Sequence, residues 1–102
     1  MLKNNPPEKA GELLYERYGC VTCHSTDGTK RVGPSFKGLW GKTESFEKGL
    51  PPQVVDENYI RESILEPSAK IVQGYPDQMP TFKGVVKDEE ISAIIAYIKT
   101  LK

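Results

Sequence analysis

Long apolar runs are missing from this 102-residue sequence. No stretch approaches the roughly 20 consecutive residues that a bilayer-spanning helix needs. An excess of one charge is missing too. Fourteen Lys and Arg balance fourteen Asp and Glu, and the halves differ little: 8 basic and 6 acidic residues over 1–51, 6 and 8 over 52–102. That leaves no basic surplus for nucleic acid or an anionic membrane surface, and little for long-range steering towards a charged partner. Apolar residues make up 37%, a lean supply for a core, while nine Gly and eight Pro imply many turns. The opening Met-Leu-Lys-Asn-Asn-Pro-Pro has no signal-peptide apolar stretch. Scarcest among the reactive side chains are cysteine, with two, and histidine, with one. So few argue against a disulfide-stapled scaffold, which uses several bridges, and against a structural zinc site, which takes four ligands.

All three scarce residues fall in one pentapeptide, Cys20-Val-Thr-Cys23-His24. That is the attachment signature of c-type haem. Each thiol can add across a vinyl group to give a thioether, the two-residue gap suits the separation of the two vinyls, and the adjacent histidine is placed beneath the iron. The other readings lack parts. A Cys20–Cys23 disulfide would close a loop too short to constrain much, zinc would want a fourth ligand, and a thioredoxin-like dithiol belongs with a βαβ pattern that is absent here. A buried porphyrin would also supply the apolar centre that the lean composition withholds.

Residues 1–7 read as linker and 8–102 as one domain, large enough for a modest core. A first helix is expected from about Pro7 to Tyr18, with Ala10, Leu13, Leu14 and Tyr18 as its apolar stripe and Gly19 as its stop. From Ser25 to Pro52 glycine and proline interrupt the chain repeatedly, leaving room for short pieces of structure only. A second helix is predicted from Glu57 to Leu65, capped by Asp56 and stopped by Pro67, with Ile60 and Ile64 facing inward. The last runs from Asp88 to Leu101, acidic at its start and basic at its end, with Ile91, Ile94, Ile95, Ile98 and Leu101 on one face. The terminal helices therefore carry complementary apolar stripes.

An iron held by one histidine has an open side, and what fills it decides the chemistry. A thioether there favours the reduced metal and electron transfer, whereas an empty position admits a gas or peroxide. Met1 lies at the chain end, so Met79, between Pro76 and Pro80, is the candidate ligand. Met79 as a core gap-filler, with a lysine or water on the iron, is the competing reading.

Taken in order, Gly-Cys-Val-Thr-Cys-His (19–24), Gly-Pro-Ser-Phe-Lys-Gly-Leu-Trp-Gly (33–41), Gln-Met-Pro-Thr-Phe-Lys-Gly (78–84) and Ala-Tyr-Ile-Lys-Thr-Leu (96–101) resemble the class I c-type cytochromes along nearly the whole chain. The stretch from Glu57 to Met79 is similar, more narrowly, to the cytochrome c domain fused to subunit II of bacterial haem-copper (caa-type) oxidases. The resemblance implies an all-α fold whose first and last helices cross around one covalent haem c. It implies thioethers at Cys20 and Cys23, iron ligation by His24 and Met79, the Pro34 carbonyl as hydrogen-bond partner of the histidine's other nitrogen, and Trp40 near a haem propionate. Tyr75, Phe36 and Phe82 then read as packing in the haem pocket or core, and Gly11 and Tyr15 as marks of the helix crossing.

The function implied is one-electron transfer without bond chemistry, so the domain is not an enzyme by itself. Its acceptor would be the copper-binding domain of a haem-copper oxidase, and its donor another cytochrome or a membrane redox complex. Such haem is attached outside the bacterial cytoplasm, which implies a soluble domain on the periplasmic side, excised from a membrane-anchored parent. A free periplasmic shuttle is the alternative, and a haem enzyme or sensor for peroxide or gas the more distant one.

Overall fold

The computed structural model describes residues 5–102. Positions 1–4 of the expected linker, Met1 included, lie outside the described residues. Pro7 already opens helix α1 (Pro7–Arg17), where its missing N–H costs nothing. Tyr18 caps α1, and Gly19, at φ 76°, turns the chain sharply into a single helical turn, α2 (Cys20–Cys23). That left-handed conformation suits glycine, which lacks the Cβ that would clash.

The long segment that follows holds two short strands, β1 (Thr43–Glu44) and β2 (Gln53–Val54), paired antiparallel with Thr43 opposite Val54. Helix α3 (Glu57–Leu65) starts where Asp56 accepts a 2.9 Å hydrogen bond from the Tyr59 N–H. This is an N-cap in the usual sense, a side-chain oxygen satisfying a donor that the first turn leaves over. Pro67 follows directly after the α3 C-cap and begins a 3₁₀ turn. Helix α4 (Asp88–Thr100) closes the fold, with the Glu90 carboxylate accepting from the Lys87 N–H at 2.9 Å.

The core forms where α1 meets α4. Ala10, Leu14 and Tyr15 of α1 and Ile91, Ala93, Ile94, Ile95 and Ile98 of α4 are all buried. Leu13, expected on the α1 stripe, is only half-buried; Gly11 and Tyr15 take the inner face instead. The reason is close approach. A Cβ on Gly11 would stand 2.0 Å from the Ala93 carbonyl oxygen, so the two backbones meet where a side chain is absent. Tyr18 fastens the end of α1 to the start of α4, its hydroxyl 3.1 Å from both Glu90 carboxylate oxygens. Arg61 of α3 ties in the third helix through an ion pair with Asp88 and a 2.7 Å bond to the Ser92 hydroxyl.

The fold is the helical one expected of a class I cytochrome c, and the two-residue strands are a minor addition. Among the described residues no helix is long and apolar enough to cross a membrane.

Candidate functional site

One apolar cleft separates α2 and the loop after it from α3, α4 and the segment that carries Met79. The space between these walls, measured out to its open mouth and the solvent there, is about 960 Å³. Cys20, Cys23, His24, Pro34 and Met79 all line it. Trp40 does not: its side chain is 37% exposed and lies under the Lys99 ammonium, 4.4 Å from the ring centroid. Its ring is therefore not part of the buried core.

The walls are built from both ends of the chain. Gly19 turns the α2 segment so that both thiols and the imidazole border the cleft. Ile60 and Ile64 project from the inner face of α3, Ile94 and Ile98 from that of α4. The Met79 segment is pinned at both ends. Before it, Gln73 N–H donates to the Ser45 carbonyl at 2.8 Å and Gly74 N–H to Glu47 Oε1 at 3.0 Å. After it, the Thr81 hydroxyl donates to the Leu65 carbonyl at 2.7 Å and the Phe82 N–H to the Ile64 carbonyl at 3.0 Å, satisfying oxygens that the end of α3 leaves over.

His24 is held on all sides. Its Nδ1 lies 2.7 Å from the Pro34 carbonyl oxygen, which accepts its proton and leaves the Nε2 lone pair available. Phe36 stacks against the ring at 4.8 Å with the planes 24° apart. The Tyr15 hydroxyl donates to the His24 carbonyl. Burial pushes the imidazole below its ordinary pKa, against the weaker pull of the Pro34 hydrogen bond, and so favours the neutral ring that a metal ligand requires. Gly33 also comes so close to the ring that a Cβ there would lie 2.4 Å from Cε1 and 2.8 Å from Nδ1.

These features fit a covalent porphyrin. Both thiols are free and border an apolar slot, and a neutral histidine beside them is oriented by its other nitrogen. The lining lysine, Lys70, is bound to Glu62 Oε1 at 2.7 Å, which weakens its claim as a second ligand relative to Met79. Among the described residues no three His, Cys, Asp or Glu side chains converge to hold a metal by themselves, as a zinc site would require.

Sequence reasoning missed two supports. Gly33 reads as a turn residue, and only the tertiary approach reveals the gap it leaves for the imidazole. Arg31 donates from Nη1 to the Val21 carbonyl at 2.6 Å, bracing the turn between the thiols, and carries no signal in the sequence.

The cytochrome c family model matches residues 8–102. Cytochrome c2 of Blastochloris viridis is 33% identical over 100 residues, covering 88% of this chain and 74% of that one. Cytochrome c2 of Rhodoplanes tepidamans is 29% identical over 93 residues, covering 81% and 91%. Cytochrome c oxidase subunit 2 of Alkalihalophilus pseudofirmus is 29% identical over 96 residues; these are 90% of this chain but 25% of that protein.

Proposed function

The chain belongs to the cytochrome c family, and from that premise we propose that Cys20 and Cys23 would hold its haem by thioethers and that His24 and Met79 would ligate its iron. The family carries one covalent haem c, and its function is electron transfer, not catalysis. When bound, the haem supplies a one-electron couple between ferrous and ferric iron.

The chain's own residues do the rest. Pro34 and Gly33 fix the plane and tautomer of His24, Ile60, Ile64, Ile94 and Ile98 exclude water, and the doubly pinned Met79 segment offers a thioether that favours the ferrous state. Val21, 38% exposed beside the thiols, borders with Thr22 the edge at which a redox partner docks.

The observation that carries this reading is the convergence of both thiols, the oriented imidazole and Met79 on one apolar cleft. Met79→Ala tests it. The variant should keep its haem, lose the sulfur-to-iron absorption band of the ferric protein and show a lower midpoint potential. An unchanged band and potential would remove Met79 from the iron.

As for setting, we infer a domain fused to an oxidase subunit II at the outer face of the bacterial membrane, passing electrons to that subunit's copper centre. The support is the subunit 2 relative, in which the matching region is a quarter of a longer protein. Balanced charge fits as well, since a tethered domain needs little steering. The second reading, a free shuttle, draws on the cytochrome c2 relatives, whose own sequences the match covers to 91% and 74%. The reading frame around this segment decides: copper-ligand and membrane-spanning segments upstream establish the fusion, and a short frame with an export signal establishes the shuttle.

A further inference from the structure

Lys30 stands in the loop that leads away from His24, yet its side chain reaches the far side of the cleft mouth. The ammonium lies 4.8 Å from the centroid of the Tyr75 ring and 3.4 Å from the Gly74 carbonyl oxygen. The second distance is long for a hydrogen bond, so the cation–π contact is the stronger of the two. Tyr75 and Met79 share one short segment, and both line the cleft. The Lys30 side is anchored as well: Gly33 N–H donates to the Cys23 carbonyl at 2.9 Å, and neighbouring Arg31 holds the Val21 carbonyl. One side chain thus joins the loop of the histidine to the segment of the methionine.

We propose that Lys30 is a positioning residue, a clasp across the cleft mouth that keeps the Met79 segment closed against the iron. The proposal rests on Met79 being the second ligand. Lys30 touches no reacting atom; it shifts the equilibrium between closed and open positions of residues 74–79. An added ligand such as carbon monoxide binds ferrous iron only while the segment is open, so its apparent affinity scales with the open fraction. A surface cation–π contact of ordinary strength corresponds to about two- to fivefold in such an equilibrium.

The experiment uses the haem-loaded protein, carbon monoxide as probe, and hydrogen exchange at the Gly74 amide, which bonds to Glu47, as a readout independent of the iron. Lys30→Met, which keeps an apolar stem and deletes the charge, should raise the apparent carbon monoxide affinity of the reduced protein and the exchange rate by the same two- to fivefold. Lys30→Arg, whose guanidinium also sits over aromatic rings, should restore both. If the parent protein resists carbon monoxide and Lys30→Met matches it in both measurements, the clasp is refuted and Met79 keeps its role. If the reduced parent binds carbon monoxide readily, the Met79 reading falls and takes the clasp with it.

Discussion

The α1–α4 pair and the loop-built wall around the cleft solve different problems with different means. The helix pair is joined mainly by buried side chains and one glycine-mediated backbone approach, with the Tyr18–Glu90 hydrogen bond at one end, so most of its strength comes from packed area. The wall from Ser25 to Val55 and from Glu66 to Val86 contains a two-residue ladder, an isolated bridge between Phe46 and Val72, and individual hydrogen bonds from one loop to another. Packing fills space without aiming particular atoms. Hydrogen bonds to backbone oxygens aim them, as Pro34 does for His24. Stability and ligand geometry are therefore separable here, and substitutions should sort accordingly.

The largest stability loss belongs to the helix pair. Leu14→Ala, at a site 1% exposed, should cost about 2–5 kcal/mol by leaving a cavity, read by denaturant unfolding, with the haem spectrum unchanged in the surviving native fraction. Gly11→Ala comes next. Its methyl meets a backbone carbonyl that no rotamer change can move, so about 1–3 kcal/mol should be lost, again without a spectral signature.

These two sites also show what the sequence made legible. The helices could be read because apolar residues recur at the helical period and because Asp56 and Pro67 mark both ends of α3. Gly11 could be placed at the crossing through family resemblance. The wall had no comparable signal, since two-residue strands are too short for any alternation to register. The candidate ligand residues were legible for a different reason: Cys, His and Met are so rare here that their identities stand out without any structure. Trp40 shows the limit, because pairing with Lys99 across the fold is a tertiary fact that no spacing encodes.

Gly33→Ala sharpens the comparison from the other side. It creates a similar overlap, but against the His24 ring in a loop that can yield. The cost should fall in the lower half of that same range, about 1 kcal/mol, and should come with shifted His24 ring-proton resonances and an altered midpoint potential. A Gly33→Ala protein with parental spectrum and potential would show that the ring is not gripped there. The smallest effect is expected at Asp56→Ala, about 1 kcal/mol or less from loss of the α3 cap. Although α3 lines the cleft, its Ile60 and Ile64 act through packing, so the potential should stay put.

The central claim of the proposed function is that this chain would supply both protein ligands of the haem iron, His24 and Met79. Exposing the fully reduced, haem-loaded protein to carbon monoxide at neutral pH tests it most directly. The account predicts weak competition by the gas, which leaves nearly all of the reduced protein with its parental absorption spectrum, because Met79 would hold the position the gas takes. A prompt shift to a carbon monoxide-bound spectrum in the parent protein would contradict it and turn the reading towards a haem that binds small ligands.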